Sequence, residues 1–148
     1  EAALDRLPVA PRRVLDVGTG TGAAARLAGS RYPDAEVVGV DVAERMVDEA
    51  RRLTESPRVT YRAADAERLP FDDASFDLVT LNNMIPFFGE LARVVAPDGH
   101  VVVAFTGGAG TPIYVPPERL RHELGRRGFA EFAEVSAGRG TALLARRS

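Results

Sequence analysis

A glycine-rich stretch, LDVGTGTGA, is the strongest candidate for chemistry in this chain. Its glycines can turn the backbone tightly and bring a ligand close to main-chain N–H groups. A helix that follows such a loop offers further N–H groups and a positive dipole end. The spacing allows two interpretations: Gly18-x-Gly20-x-x-Ala23 fits the dinucleotide fingerprint, whereas Asp16-x-Gly18-x-Gly20-x-Gly22 fits a different nucleotide loop. The glycines alone leave both interpretations open, and a loop that is merely tight is the structural alternative.

Three carboxylates, Asp16, Asp41 and Asp65, fall at the ends of apolar runs that resemble strands. Asp16 directly precedes the glycines, where it would repel a diphosphate and attract a ligand with an ammonium or sulfonium group. Asp41 is placed to accept hydrogen bonds from a ribose diol. Asp65 could accept from an exocyclic adenine amine, or it could be the N-cap of a helix that begins at Ala66.

Alternating short apolar runs and amphipathic segments define the elements that must position these side chains. Periodicity and turn residues predict strands over 12–17, 36–41, 58–62, 75–81, 101–105, 132–136 and 141–145. They predict helices over 23–31, 43–53 and 117–127, a further helix ending over 90–95, and a turn at 96–99. Five alternations of strand and helix favour a parallel sheet with helices on both faces, and a short Gly138-Arg139-Gly140 turn indicates a closing antiparallel hairpin.

Composition restricts the chemistry that this sequence can perform. The 148 residues contain no Cys, and all 19 basic residues are Arg. Thiolate metal sites, a phosphate-binding GK[ST] loop and a Schiff-base lysine are therefore excluded. With only His100 and His122 present, a metal site is not expected, and we expect neither histidine to be catalytic. The net charge of -2 suggests neither a nucleic-acid nor a membrane partner, and no apolar run is long enough to span a membrane.

Several motifs in register resemble class I S-adenosylmethionine-dependent methyltransferases of the small-molecule type. They are VLDVGTGTG from Val14, VGVD from Val38, ADAERLPF from Ala64, SFDLV from Ser75 and LARVVAPDG from Leu91. Together they cover nearly the whole chain. The resemblance implies a Rossmann-like three-layer α/β sandwich over residues 1–148, with a mostly parallel seven-stranded sheet and a C-terminal antiparallel hairpin. The implied cofactor is S-adenosyl-L-methionine, with S-adenosyl-L-homocysteine as product, and we expect a cytoplasmic enzyme.

The resemblance also implies roles for individual residues of the cofactor site. Gly18 and Gly20, in a loop that includes Thr19 and Gly22, would line the methionine part, with Asp16 near its ammonium group through water. Asp41 would hold the ribose hydroxyls. The remaining roles concern the adenine ring and the methionine amine: Val42 and Met46 would flank the ring, Asp65 and the Ala66 N–H would bind its edge, and the main chain at Asn82 would lie near the amine. Core packing is the alternative for Met46.

The acceptor side of the site is less defined by the sequence. Asn83, Phe87, Phe88 and Tyr114 are candidates, because they follow strand ends beside the expected reaction site. An amide could orient the acceptor and aromatic rings could form an apolar wall. The alternatives are an amide that ties down a loop and rings that pack in the core.

Alternatives from other classes are a cofactor-binding domain without activity and, less favoured by Asp16, a NAD-dependent oxidoreductase domain. Only thirteen residues precede Val14, whereas relatives commonly have longer N-terminal helices. We therefore expect a short or missing N-terminal cap. A second copy of the chain or a missing segment could then complete the acceptor site.

Overall fold

All seven strands form one sheet in the order β3-β2-β1-β4-β5-β7-β6 in a computed structural model that describes residues 1–148. The strands are β1 (Arg13–Val17), β2 (Glu36–Asp41), β3 (Val59–Ala63), β4 (Phe76–Asn82), β5 (Val95–Phe105), β6 (Phe129–Ala137) and β7 (Gly140–Arg147). The helices are α1 (Ala23–Arg31), α2 (Glu44–Leu53), α3 (Phe88–Val94) and α4 (Pro117–Gly125), with 3-10 turns at Leu4–Arg6 and Gly108–Gly110.

The pairing pattern confirms the predicted α/β fold. Strands β1 to β5 pair in parallel, and β7 pairs antiparallel with both β5 and β6. After β1 the chain builds outward through β2 and β3, and then returns to place β4 on the other side of β1. Ligands of open α/β sheets bind at such a reversal, outside the carboxyl ends of the strands. The β1–β4 boundary, where Asp16 lies, is that reversal point.

Alternate residues of each strand supply two separate cores, as the pleat of a sheet requires. Val14 of β1 belongs to the core beneath α1 and α2, where Ala28 and Val47 are buried. Its neighbour Leu15 belongs to the core beneath α3 and α4, where Leu91 is buried. The sheet thus lies between a layer formed by α1 and α2 and a layer formed by α3 and α4, which gives the three layers of the sandwich.

The segment between β3 and β4 has no helix, so the predicted fivefold alternation is interrupted there. An isolated antiparallel bridge joins Asp65 to Arg68, and the Asp65 Oδ1 accepts a hydrogen bond from the Glu67 N–H at 2.9 Å. The interpretation of Asp65 as a helix N-cap is therefore wrong. Pro70 disfavours a helical conformation at Leu69, and the Asp65 carboxylate stabilises a turn instead.

The predicted turn at residues 96–99 is part of an irregular β5. Pairing with β4 jumps from Phe76–Val95 to Leu78–His100, so the intervening residues bulge out of the ladder. Asp98 has a φ of 67° within this bulge. The turn-forming residues thus produce a bulge rather than a break between elements. Val95, which the sequence places at a helix end, is already the first strand residue.

Smaller differences occur at other boundaries. Helix α4 ends at Gly125 rather than at residue 127, and β6 begins at Phe129 rather than at residue 132. A bulge between Ala130 and Ala133, with a φ of 52° at Glu131, separates the two parts of β6. The sequence pattern predicts only residues 132–136, which belong to the regular part of this strand.

On the face of the sheet that carries α1 and α2, helices cover only one half. Helices α1 and α2 pack over β1, β2 and β3, whereas α3 and α4 pack over β5, β6 and β7 on the opposite face. On the α1–α2 face, the β5–β7–β6 half is bordered by α1, through Leu27 and Ala28, and by residues before β1, through Ala3 and Leu4. A cleft remains there. None of the helices has the length and hydropathy that a membrane crossing requires.

Candidate cofactor site

Asp16 is an acid buried at the carboxyl end of β1, with 2% of its surface exposed. It lies opposite Thr80 in the β1–β4 register, and the Thr80 hydroxyl donates to its Oδ1 at 2.7 Å. Burial raises the pKa of Asp16 to about 6; the Thr80 hydrogen bond opposes this shift and the charge of Asp41 adds to it. A buried, weakly satisfied carboxylate of this kind favours a cationic group beside it.

The glycine loop is held in a conformation that side chains would strain. Gly18, Gly20 and Gly22 have φ angles of 72°, 56° and 90°. The N–H groups of Gly18 and Thr19 both donate to the Val40 carbonyl at 2.9 Å, which fixes the loop to β2. A Cβ at Gly18 would lie 2.8 Å from the Met84 sulfur. The loop therefore needs glycine at position 18 for backbone freedom and for space.

Asp41 connects the glycine loop to the start of α2. Its Oδ2 accepts from the Gly20 N–H and its Oδ1 accepts from the Ala43 N–H, both at 2.9 Å. Each carboxylate oxygen has more than one lone-pair direction, so these bonds leave acceptor capacity for a ligand diol. Asp41 also lines the neighbouring cleft, where a ribose would meet it.

A cleft of about 380 Å³ opens between the ends of β1 and β2 and the segments that follow β3 and β4. Apolar groups dominate its walls, and acidic side chains lie along one side. Its lining comprises Val17, Gly18, Val40, Asp41, Val42, Ala64, Asp65, Ala66, Glu67, Met84, Ile85 and Phe87. An apolar slot with carboxylates at one edge suits a nucleoside, because the base packs against the walls while its polar edge and sugar find acceptors.

Two predicted cofactor residues have placements that the sequence did not define. Met46 is 43% exposed on α2 and lies outside both cores, so the core-packing alternative is wrong for this residue. Thr19 is buried, and its hydroxyl has no hydrogen-bond partner. A Cβ at Gly39 would lie 2.5 Å from that hydroxyl oxygen, so Gly39 makes the space that Thr19 occupies.

Asn82 and Asn83 have different environments although they are adjacent. The Asn83 Nδ2 donates to the Thr106 hydroxyl at 2.9 Å, and its Oδ1 accepts from the Thr106 N–H at 3.0 Å. With its φ of 54°, Asn83 ties the end of β4 to the segment after β5. Asn82 instead lines a second cleft together with Thr80.

The structure does not gather the other acceptor-side candidates in one place. Phe87 lines the cleft that contains Asp41. The Phe88 ring lies beneath the Arg127 guanidinium, 5.7 Å from its carbon to the ring centroid, and Tyr114 packs edge-on against Phe105 at 5.4 Å between ring centroids. Phe88 and Tyr114 thus border the core of the α3–α4 face.

The second cleft, of about 280 Å³, lies on the incompletely covered face beside Asp16. Small apolar residues and threonines form most of its wall. Its lining includes Leu27, Ala28, Thr80, Asn82, Val102, Ala104, Thr106, Val135, Thr141 and Ala142. The loop that begins at Thr106 is predicted from the sequence to border the site, but Thr80 and Thr141 are not, because only the register of β4, β5 and β7 brings them to this cleft.

The fold and the two clefts are those of a nucleotide-binding α/β domain, whose ligand site combines a glycine loop with acidic side chains. Residues 14–99, more than half of the chain, match the family model of the methyltransferase domain. The chain therefore belongs to the methyltransferase domain family, whose cofactor is S-adenosylmethionine.

Named relatives agree with this family. The demethylmenaquinone methyltransferase of Thermus thermophilus is 45% identical over 106 residues, which cover 66% of this chain and 48% of the relative. The malonyl-[acyl-carrier protein] O-methyltransferase of Halorhodospira halophila is 40% identical over 141 residues, which cover 88% and 43%. The chain thus spans less than half the length of these two relatives.

A solved structure gives the same result for the fold. Phosphoethanolamine N-methyltransferase 2 of Haemonchus contortus, in complex with phosphomonomethylethanolamine and S-adenosylhomocysteine, superimposes with a TM-score of 0.77 at 28% identity. The match covers 90% of this chain and 37% of that protein. It supports the predicted fold and the cofactor.

Proposed function

We propose that this chain binds S-adenosylmethionine across the carboxyl ends of β1 and β2 and transfers its methyl group to a small-molecule acceptor. The observation that carries the proposal is the buried Asp16 carboxylate beside the glycine loop, next to a cleft that Asp41 and Asp65 line. A dinucleotide would bring a diphosphate to this loop, where the Asp16 charge opposes it.

The nucleoside half of the cofactor fits the larger cleft. Asp41 would accept from the ribose hydroxyls, and Asp65 would accept from the adenine amine while the Ala66 N–H donates to a ring nitrogen. Val42 is 76% exposed at the cleft edge, where a bound adenine would cover it. Met46 would flank the ring from α2.

The methionine half would lie along the glycine loop, of which Gly18 lines the larger cleft. Gly18 and Gly20 would let it approach the backbone, while Thr19 and Gly22 hold the loop conformation. Asp16 would balance its ammonium group through water, and the main chain at Asn82 would lie near the same amine. These contacts would bring the reacting methyl near the end of β4.

The reaction needs positioning more than proton transfer. When bound, the sulfonium would supply an activated methyl group and S-adenosylhomocysteine would be the leaving group, while the proton of the acceptor would pass to solvent. No general base is identified, since His122 is exposed on α4 and His100 lies at the far end of the sheet. Alignment of the acceptor by the cleft walls would supply much of the acceleration.

The second cleft supports an uncharged, largely apolar acceptor. Glu1 is its only titratable lining residue, and no arginine contributes to its wall. A carboxylate-bearing acceptor would lose its hydration there, and no side chain of the lining would supply a cationic partner. The relatives' names mention a demethylmenaquinone and a malonyl group. The apolar ring system of the first matches the chemistry of this cleft better than the charged malonyl group does.

Methyl-labelled cofactor and a paired panel of acceptors test this proposal. Each apolar phenol or quinol is offered beside an analogue that carries a carboxylate. We expect the label to be transferred to the neutral member of each pair. We also expect Ala104→Leu to reduce this transfer while cofactor binding is retained, because Ala104 lines the second cleft. Cofactor binding without transfer to any acceptor would favour a non-catalytic domain.

A further inference from the structure

The irregular segment between β3 and β4 depends on one turn of α3 for its backbone hydrogen bonds. The Leu69 N–H donates to the Glu90 Oε1 at 2.8 Å, and the Leu69 carbonyl accepts from the Arg93 Nη2 at 2.9 Å. The Phe71 carbonyl accepts from the Arg93 Nη1 at 2.6 Å. The Ala74 N–H donates to the Arg93 carbonyl at 2.8 Å. These bonds stabilise a segment that has no helix or strand of its own.

Glu90 and Arg93 also bind each other. The Arg93 Nε donates to the Glu90 Oε2 at 2.6 Å, and its Nη2 donates to the Oε1 at 3.1 Å. Their side chains are 18% and 29% exposed. The hydrogen bond to Arg93 lowers the pKa of Glu90, so the pair stays ionised. A planar guanidinium can bind a carboxylate and two carbonyls at once, whereas a lysine ammonium cannot reproduce this geometry.

The pair is distant in sequence from the predicted adenine contacts and does not line their cleft, but its partner Leu69 lies only three residues after Ala66. Leu69 is buried and immediately follows Arg68, which bridges back to Asp65. The Arg68 N–H donates to the Asp65 carbonyl at 3.0 Å. The position of Leu69 thus determines where this turn presents the Asp65 carboxylate and the Ala66 N–H.

We propose that Glu90 and Arg93 are positioning residues that determine recognition of the adenine edge, acting through Leu69 and the Asp65–Arg68 turn. This inference rests on the proposed function, because it assumes that Asp65 meets the adenine amine. It goes further in assigning base selectivity to two α3 residues that do not line the cofactor cleft.

The test compares calorimetric affinities for S-adenosylhomocysteine and S-inosylhomocysteine, in which a carbonyl oxygen replaces the adenine amine. The wild-type chain should prefer the adenine form about tenfold or more, because the amine hydrogen bond to Asp65 is lost and two acceptors then face each other. The neighbouring ring nitrogen also carries a proton in the inosine form and no longer accepts from the Ala66 N–H. Arg93→Lys and Glu90→Gln should reduce this preference to about threefold or less, because a loosened turn no longer fixes Asp65. Amide hydrogen exchange at Ala66 and Glu67 should quicken in both variants.

The matched control is Arg127→Lys on α4. Arg127 donates to Glu123 at 2.8 Å, and their side chains are 32% and 20% exposed, but this pair makes no hydrogen bond to the segment after β3. We expect this control to keep the wild-type preference.

The outcomes separate the inference from the proposed function. A wild-type preference that persists in both Arg93→Lys and Glu90→Gln would overturn the positioning role, even if both variants were less stable. If Arg93→Lys does not fold, the ratio in Glu90→Gln decides, because glutamine keeps the side-chain shape. A wild-type chain that binds both compounds equally would contradict the assignment of Asp65 itself, and with it the inference.

Discussion

The Thr80 hydroxyl donates a hydrogen bond to the buried Asp16 carboxylate at 2.7 Å, across the β1–β4 boundary where the sheet order reverses. The side chains of Thr19 and Asn82 also oppose the raised pKa, so this group with 2% exposure has only neutral partners. Neutral groups replace water only in part around a full charge, and the pKa of Asp16 stays raised to about 6. The protein therefore maintains an under-satisfied acid at the point where a cationic ligand group is proposed to bind.

Cofactor binding should depend on the ionisation of Asp16. Its pKa of about 6 means that only about a tenth of free chains carry this charge at pH 5. We expect the affinity for S-adenosylhomocysteine to fall by up to about tenfold between pH 7.5 and pH 5. Calorimetry at both pH values measures this change. Asp16→Asn should bind more weakly at pH 7.5 and vary little with pH; an equal decline in both proteins would remove Asp16 from the effect.

The buried Asp16 carboxylate should also lower the free energy of unfolding of the ligand-free chain at neutral pH. Burial raises its folded-state pKa from 3.8 to about 6, so the unfolded chain releases this proton first as the pH rises. The free energy of unfolding therefore falls between about pH 4 and pH 6 and stays lower above that range. We expect Asp16→Asn to be more stable by about 1–3 kcal/mol at pH 7.5, with the gain disappearing near pH 4. Urea denaturation at several pH values measures it, and a destabilised variant at pH 7.5 would contradict this prediction.

Asp41→Ala should weaken binding of S-adenosylhomocysteine by about 1–3 kcal/mol, because the ribose loses its acceptor and the Gly20 N–H loses its anchor. The matched control is Asp77→Ala. Asp77 also accepts two backbone N–H groups, those of Arg12 and Arg13, at 2.8 and 3.0 Å, and it lines no part of the cofactor cleft. Both variants should lose stability, but only Asp41→Ala should lose affinity. Equal affinities in the two folded variants would exclude Asp41 from the ribose site.

Gly18→Ala and Gly20→Ala should differ although both glycines have positive φ angles. A Cβ at Gly18 would collide with the Met84 side chain, whereas one at Gly20 meets nothing within 4 Å. We expect Gly20→Ala to show only backbone strain of about 1 kcal/mol, and Gly18→Ala to lose about 1–3 kcal/mol. Adding Met84→Ala should recover most of the difference. Thermal denaturation of the four proteins gives the comparison, and equal losses in the two glycine variants would show that Met84 does not restrict position 18.

Short-range patterns in the sequence predict most of the fold. The strands and the three fully predicted helices follow apolar periodicity, and the glycines and strand-end acids mark the cofactor edge. The conformation of the segment after β3 cannot be predicted in the same way, because the backbone groups of Leu69 and Phe71 form hydrogen bonds with Glu90 and Arg93, about twenty residues away. No local pattern reveals such a partner.

The second cleft was missed for a similar reason. Thr80 lies in β4, Thr106 directly follows β5 and Thr141 lies in β7, and β7 runs antiparallel to β5. Their meeting depends on register, which single-sequence periodicity does not specify. Of the aromatic candidates, Phe87 and Phe88 are adjacent in sequence and Tyr114 lies in a later loop, and the structure distributes the three between a cleft and the α3–α4 core.

Calorimetric titration of the chain with S-adenosylhomocysteine and, separately, with NAD tests the central claim most directly. We predict saturable binding of about one S-adenosylhomocysteine per chain at pH 7.5, and no comparable binding of NAD, because Asp16 opposes a diphosphate at the glycine loop. Tight binding of NAD without a response to S-adenosylhomocysteine would contradict it.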